Sequence, residues 1–313
     1  MDLLLSIARC TVLVFFREVD LMITRRLLTG ALLAISAGTL LSGPGFAADK
    51  IRFAVTDIDG LESLQREYGP FKEAFEKASG LKVDFFPVSG RTAAVEAMAA
   101  DQIDFVLTGP AEYVVFNARL KAQPTVVWTR PNYRSSIIVP EDSAIKSLAD
   151  LKGKKVSFGE IGSTSQHLGP ATILADGGLT YGKDYEAVFL KLNVAAEALL
   201  KNDIGAIGMN QTHLERVRKA FPDKKFRSLG NGIELPNDLI LASPKVKPET
   251  VAAFRKAFLE HADAVMTAVV STKENKKFEG GKFLPDVKDS DYDIVRKMYV
   301  NIGIKEFTKF VGN

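Results

Sequence analysis

Short apolar runs alternate with helical patterns through most of this 313-residue chain. Residues 51–55, 103–107 and 154–158 are strand-like, and each precedes a segment whose apolar residues recur at a spacing of three and four, which is typical of a helix. The pattern ends in two segments that predict long helices, about 248–271 and 289–302. Because strands that alternate with helices favour a largely parallel sheet covered by helices, the chain is predicted to have an α/β fold.

The order of these elements indicates that a second α/β unit interrupts the first. We expect residues 135–237 to form one lobe, and residues 49–134 together with 238–313 to form the other. The chain would then cross between the lobes twice, near 132–140 and 230–240. Strands of open α/β sheets bind ligands at their carboxyl ends, so both lobes would face one cleft. This organisation predicts a binding protein that closes by bending at the two crossings.

The first 48 residues are predicted to be an export signal that is removed. Arg25 and Arg26 precede an apolar stretch over 27–41, and small residues suited to cleavage follow at 45–48. The apolar stretch is shorter than the roughly 20 residues that a membrane-spanning helix needs. Met22 is the expected true start. Export to the periplasm would use the general secretory route or, since the two arginines are adjacent, the twin-arginine route.

Composition excludes several function classes. Cys10 is the only cysteine and lies in the predicted signal, so the mature protein would have no disulfide and no thiolate ligand or nucleophile. The net charge of +3 is not concentrated in a basic stripe, which argues against a nucleic-acid partner. His167, His213 and His261 lack metal-ligand spacing, and no Gly-x-Ser-x-Gly elbow is present. We expect a monomer that is not an enzyme and uses no metal or cofactor, with His213 and His261 at the surface.

A turn of small and hydroxyl-bearing residues, Gly162-Ser163-Thr164-Ser165, follows the strand-like segment 154–158 and opens a helical pattern. The N–H groups of a helix N-terminus and the rotatable hydroxyls can together bind an anion with several oxygens. The alternative is a Ser/Thr cap of the helix, which needs only one hydroxyl. Three consecutive hydroxyls therefore favour a binding role.

Three segments resemble the substrate-binding proteins of phosphonate and phosphite ABC importers, which have the two-lobed type II periplasmic-binding fold. Residues 162–170 are similar to the family's Gly-Ser-Thr-Ser-x-His-x-x-Pro turn, and Gly109-Pro110-Ala111-Glu112-Tyr113 is similar to its Gly-Pro-x-x-Tyr step. Residues 147–158 resemble its entry strand, and the similarity spans about 50–300. It implies a periplasmic protein that binds a phosphonate, phosphite or related phosphorus compound and delivers it to a membrane permease.

The resemblance also implies which side chains bind the ligand. Hydroxyl and imidazole groups would contact its oxygens from the second lobe, the first lobe and the crossing segment, namely Ser163, Thr164, Ser165, His167, Tyr113 and Tyr133. Asp238 would accept a hydrogen bond from a protonated ligand oxygen and would reject fully ionised anions by charge repulsion. The alternatives are that both tyrosines are packing residues and that Asp238 belongs to a turn.

The chain departs from the family at one position of the expected cleft. Many relatives have a tyrosine where this chain has Ser89-Gly90-Arg91-Thr92. Arg91 would either contribute a guanidinium to an anion or lie at the surface. Arg130 and Arg134 flank the segment that carries Tyr133, and the added positive charge would favour an anion larger or more charged than phosphite.

Two other functions agree with the same residues. The protein would present an oxyanion to a membrane sensor kinase instead of a permease, or it would bind an unrelated organic solute such as a sulfonate. The turn at 163–165 does not separate these functions from phosphonate import.

Overall fold

The computed structural model describes residues 50–309, which belong to one compact unit. The predicted export signal and Cys10 lie outside the described residues. Within residues 50–309, no helix combines the length and the apolar character needed to cross a bilayer.

Strands and helices alternate along the described chain, as the sequence predicts. The strands are β1 (Lys50–Val55), β2 (Lys82–Phe85), β3 (Phe105–Thr108), β4 (Gln123–Trp128), β5 (Arg134–Pro140), β6 (Lys155–Phe158), β7 (Glu186–Phe189), β8 (Ala206–Asn210), β9 (Phe226–Glu234), β10 (Asp238–Ala242) and β11 (Phe283–Leu284). The α-helices are α1 (Leu61–Ser79), α2 (Arg91–Ala99), α3 (Pro110–Leu120), α4 (Gly169–Asp176), α5 (Leu192–Leu200), α6 (Gln211–Ala220), α7 (Pro248–Glu260), α8 (Ala262–Val269) and α9 (Asp293–Asn301).

The strands form two sheets, with the orders β11-β4-β10-β3-β1-β2 and β7-β6-β8-β5-β9. β1 pairs in parallel with β2 and β3, and β6 pairs in parallel with β7 and β8. By contrast, β10 and β5 run antiparallel to both of their neighbours. Successive side chains of a strand point to opposite faces, and the apolar ones form buried clusters against helices on both faces of each sheet.

The chain crosses between the sheets twice. It leaves the first sheet after Trp128 and enters the second at Arg134, then leaves the second after Glu234 and re-enters the first at Asp238. The two crossing segments are joined because the N–H of Leu235 donates to the carbonyl of Tyr133 at 2.8 Å. The predicted α/β architecture, with two lobes and a cleft between them, is confirmed.

The two long helices predicted near the end of the chain are wrong in extent. His261 has φ −117° and ψ 27°, outside the helical region, and it separates α7 from α8. A 3₁₀ turn over Asp289–Tyr292 precedes α9, so the second helix is also shorter than predicted. α7 and α8 nevertheless bury apolar residues in the same cluster, which lies on one face of the first sheet.

Candidate functional site

A cavity of about 200 Å³ lies between the two sheets. It is lined by Asp57, Arg91, Gly109, Glu112, Arg130, Tyr133, Glu160, Ser163, Thr164, Ser165, Gln166, Asn210, Thr212, His213, Arg216, Asp238, Glu274 and Lys277. Many of these residues directly follow a strand, as expected for a ligand site in open α/β sheets. Six of the residues predicted from the sequence are in this lining, namely Ser163, Thr164, Ser165, Tyr133, Asp238 and Arg91.

The hydroxyl-rich turn is the start of a helix with a wide first turn. Gly162 has φ 80°, which turns the chain sharply after β6. Residues 164–168 form a π-helical turn that continues into α4, and the carbonyl of Ser163 accepts from the N–H groups of His167 and Leu168, both at 3.0 Å. The first N–H groups of a helix have no acceptor within the helix, so this turn supplies backbone donors beside its hydroxyls.

The turn hydroxyls already accept hydrogen bonds from the protein. Thr164 Oγ1 accepts from the N–H of Ala111 at 2.9 Å, which joins the second lobe to the first turn of α3 in the first lobe. Ser165 Oγ accepts from Asn210 Nδ2 at 2.9 Å. Because a hydroxyl both accepts and donates, each of these two groups can still donate its proton to an anion in the cavity.

Close contacts with Ser135 on β5 hold the turn in place. Ser135 Oγ donates to the carbonyl of Ser165 at 3.0 Å, which fixes the turn against β5. A Cβ added at Gly169 would overlap the Ser135 side chain and lie 3.0 Å from the carbonyl oxygen of Thr164. Glycine at this position therefore allows the helix to start against the strand.

His167 lies behind the turn and is absent from the cavity lining. Its Nδ1 accepts from the N–H of Gly162 at 3.0 Å, and its Nε2 is 2.9 Å from the hydroxyl of Tyr181. Its ring packs against Phe158 and Phe189. Burial lowers the pKa of His167 to about 4. The imidazole is thus neutral at pH 7 and supports the shape of the turn.

Tyr113 also lies outside the cavity lining, although the resemblance implies that it contacts the ligand. Its hydroxyl donates to Asp289 Oδ1 at 2.8 Å and accepts from Asn117 Nδ2 at 3.1 Å. The ring packs against Tyr292 with a centroid distance of 4.5 Å. α3 directs this side chain away from the cleft, so the structure agrees with the packing alternative.

The structure separates the two arginines that flank the first crossing. The guanidinium of Arg130 stacks on Tyr133, 4.1 Å from the ring centroid, and its Nη1 is 3.9 Å from Asp238 Oδ2. Arg134 lies on β5 outside the lining, where its 53% exposed side chain pairs with Glu234 at 3.3 Å. Burial raises the pKa of Tyr133 to about 12, so its hydroxyl remains protonated at pH 7.

Arg91 is buried, so the surface alternative for this residue is wrong. Only 8% of the residue is exposed. Nη2 lies 3.1 Å from Asp57 Oδ1 and 2.8 Å from Glu160 Oε2, and Nη1 pairs with Glu112 Oε1. Glu160 follows β6 in the second lobe, and the other two carboxylates belong to the first lobe. Arg91 therefore joins carboxylates from both sides of the cleft.

The expectation of surplus positive charge in the cleft is wrong. Four cationic side chains and five carboxylates line the cavity. Arg216 pairs with Glu274 at 2.8 Å, and Lys277 pairs with Asp57 at 3.1 Å. Among residues 50–309, no three His, Cys, Asp or Glu side chains are grouped so that they could hold a metal ion.

Two further residues line the cavity, and one of them, His213, was expected at the surface. The other, Lys277, has a side chain that is only 14% exposed and enters the cavity. His213 is half-buried beside Asn210, whose Oδ1 is 2.8 Å from His213 Nδ1. Burial, together with Arg216, lowers the pKa of His213 to about 4. α6 begins directly after β8, so its first turn lies at the carboxyl end of a strand, where open α/β sheets bind ligands. This position in the sequence was the signal that could have placed His213 in the cleft.

Asp238 is the first residue of β10 and is only 4% exposed, so it is not an exposed turn residue. Burial raises the pKa of its carboxyl to about 6, and nearby Arg130 opposes this shift. The carboxyl therefore changes charge in a range where phosphorus oxyanions also gain and lose protons. When Asp238 is ionised, it can accept a hydrogen bond from a protonated ligand oxygen. When Asp238 is protonated, it can donate a hydrogen bond to an ionised ligand oxygen.

Substitution of Asp238 by Asn is expected to remove a pH-dependent loss of stability. Between the ordinary pKa of 3.8 and about 6, the folded protein holds a proton that the unfolded chain has released. The free energy of unfolding therefore falls as the pH rises through this window, by about 3 kcal/mol at most. We expect D238N to gain stability relative to the wild type by that order between pH 4 and pH 7, measured by urea unfolding.

The difference in unfolding free energy between the wild type and D238N isolates the contribution of Asp238. His167 and His213 have lowered pKa values and titrate in the opposite sense, but they are present in both proteins. Their contributions cancel in the difference. A difference in unfolding free energy that does not change with pH would contradict the raised pKa.

Comparison with known proteins identifies the family. A family model described as the periplasmic substrate-binding protein of phosphonate ABC transporters matches residues 53–281. The chain belongs to this family. It is a family of periplasmic transporter binding proteins rather than enzymes. The three segments that resemble it in the sequence, 109–113, 147–158 and 162–170, all lie within the matched range.

Individual relatives agree with this assignment. The phosphate-import protein PhnD of Mycolicibacterium smegmatis is 31% identical over 138 residues, which cover 42% of this chain and 43% of that protein. The phosphonates-binding periplasmic protein of Escherichia coli is 25% identical over 201 residues, which cover 60% of this chain and 59% of that protein. Each match spans less than two thirds of the relative's length.

A solved structure shares the fold. PhnD1 from Prochlorococcus marinus, in complex with methylphosphonate, has a TM-score of 0.61 and is 17% identical, with 81% of this chain and 98% of that chain covered. At this identity, the likeness shows the two-lobed fold alone.

Proposed function

We propose that this chain is the exported binding protein of an ABC importer and that it binds a small phosphorus oxyanion, such as a phosphonate or phosphite. The observation that carries this proposal is the convergence of groups from both lobes on one cavity of about 200 Å³. The hydroxyls of residues 163–165 come from the second lobe, and Arg130 and Asp238 come from the first lobe and its crossing. Family membership supports the transport role.

The proposed contacts follow from the chemistry of each group. The helix N-terminus and the three turn hydroxyls would donate to the anionic oxygens. Arg130 would add a charge-assisted hydrogen bond, and its stacking on Tyr133 fixes its orientation. Tyr133 would donate through its neutral hydroxyl, and Asp238 would orient the Arg130 guanidinium and, while protonated, donate to an ionised ligand oxygen.

We propose supporting roles for the two predicted residues outside the lining. His167 would fix the turn through its bond to the N–H of Gly162. Tyr113 would fix α3 through Asp289, and α3 in turn supplies the Ala111 N–H that binds Thr164. Both residues would then affect ligand affinity through the turn.

The closing motion is part of the proposal. Residues 135–237 would rotate as one lobe against residues 49–134 and 238–313, bending at the two crossings. Two ion pairs would form as the lobes close, Arg91 with Glu160 and Arg216 with Glu274, each at 2.8 Å. The closed monomer would deliver its ligand to an inner-membrane permease, after export by the general secretory or the twin-arginine route.

A thermal-shift screen tests the ligand class. The purified protein would be heated with phosphite, phosphate, methylphosphonate, aminoethylphosphonate, sulfate, arsenate or taurine. A ligand that binds only the folded state raises the midpoint with the logarithm of its concentration. We expect a shift with at least one phosphorus oxyanion and none with taurine. A shift with taurine alone would favour the sulfonate alternative, and no shift with any phosphorus oxyanion would contradict the proposal.

A further inference from the structure

Glu112 is a fully buried carboxylate in the cavity wall, with 0% of the residue exposed. Its Oε1 pairs with Arg91 and lies 3.5 Å from Thr56 Oγ1. Its other oxygen, Oε2, has no hydrogen-bond partner among the described residues. An unpaired buried carboxylate oxygen is costly, so a donor from a bound molecule would stabilise it.

The surroundings of Oε2 point to the cavity. A Cβ added at Gly109 would lie 2.9 Å from Glu112 Oε2 and 3.7 Å from Asp238 Oδ1, so only the absence of a side chain at residue 109 leaves room beside these two carboxyls. Gly109 and Asp238 both line the cavity. The last torsion of a glutamate side chain is soft, and its rotation moves Oε2 without moving α3.

The charges around Glu112 set what it can accept. The titratable or charged groups that face it are Arg91 on α2, Asp57 after β1, Asp238 on β10 and Tyr299 on α9. Asp57, Glu112 and Glu160 all pair with Arg91, so this guanidinium is already neutralised. At Glu112 a doubly charged anion would therefore face carboxylates beside an arginine that is already paired, and like charges at this range are unfavourable.

We propose that Glu112 is a specificity-determining residue that selects a singly charged oxyanion bearing a proton over a doubly charged one. This inference rests on the proposed function. Oε1 neutralises Arg91, and Oε2 accepts a hydrogen bond from the P–OH group of the ligand. A dianion has no proton to donate, and it meets the uncompensated charge of the carboxylate.

The test compares methylphosphonate with sulfate, a tetrahedral dianion that carries no proton near neutral pH. Titration calorimetry of the full processed protein would give both affinities for the wild type and for E112Q. We expect the wild-type preference for methylphosphonate to fall by at least about tenfold in E112Q, as the loss of one charge-assisted hydrogen bond predicts. Glu96→Gln is the matched control, since it also removes a carboxylate that pairs with an arginine, Arg119, but lies outside the cavity lining, and it should keep the preference.

A second variant separates charge from hydrogen bonding and serves if E112Q does not fold. Glu112→Asp keeps the negative charge but withdraws the oxygen by one methylene. We expect E112D to exclude sulfate as the wild type does and to bind methylphosphonate about tenfold more weakly. Wild-type affinity for methylphosphonate in E112D would overturn the proposed contact.

The remaining outcomes also decide the matter. If Glu112 were protonated and acted as a donor, the amide of E112Q would replace it and the preference would persist, which would overturn the inference alone. If the wild type binds methylphosphonate but prefers sulfate, the inference also fails while the oxyanion site stands. If the wild type binds no phosphorus oxyanion, the proposed function fails and the inference fails with it.

Discussion

Replacing Ser163, Thr164 and Ser165 together by alanine is expected to weaken methylphosphonate binding by about 10³-fold or more, with an unchanged far-UV circular dichroism spectrum. A hydrogen bond to a charged group contributes about 1.5–3 kcal/mol, so the loss of three exceeds 4 kcal/mol. Thr164 and Ser165 also accept from Ala111 and Asn210, and their loss leaves those donors unpaired. The affinity would be measured by titration calorimetry.

A buried serine outside the cavity provides the control for this variant. Ser157 lies on β6 with 0% exposure and is not part of the cavity lining. Ser157→Ala should therefore bind methylphosphonate with wild-type affinity. If the triple variant keeps its affinity within about tenfold, the three hydroxyls do not bind the ligand, and the proposed contacts would be wrong.

Replacing Arg130 by methionine is expected to weaken methylphosphonate binding by about 10²-fold. Methionine retains much of the apolar contact with Tyr133 but removes the charge. The five carboxylates of the lining would then face three cations instead of four. Loss of a buried charge-assisted contact with the ligand costs about 2–5 kcal/mol in comparable interfaces, and a loss of about 3 kcal/mol within that range gives the stated factor.

Arg134→Met is the matched control for this prediction. Arg130 and Arg134 are four residues apart and of the same type, but Arg134 is 53% exposed and pairs with Glu234 away from the cavity. We expect its affinity for methylphosphonate to stay within about twofold of the wild type, because exposed ion pairs contribute little. Equal losses in both variants would indicate a general effect of protein charge rather than a contact at the site.

The fold could be predicted from the sequence because its signals are local. Apolar alternation and helical spacing along the chain reflect which side of each element is buried. The turn at 162–165 could be placed at a strand end for the same reason. Helix ends were predicted less well, since nothing in the residues around His261 marks the break that separates α7 from α8.

The site could be predicted only in part because side-chain direction depends on contacts that are distant in sequence. Arg91 and Glu160 are 69 residues apart and meet only across the cleft. Spacing alone could not distinguish Arg130 from Arg134, because their directions are set by the crossing and by β5. The acidic lining was missed for the same reason, and without it the charge of the cleft was overestimated.

A crystal structure of the protein grown with methylphosphonate tests the central claim most directly. We expect the phosphonate in the cavity between the lobes, with its oxygens within hydrogen-bond distance of the turn at 163–165 and of Arg130, and with a protonated oxygen near Asp238 or Glu112. Methylphosphonate bound outside this cavity would contradict the account. So would a cavity that contains no methylphosphonate in crystals grown at a saturating concentration of it.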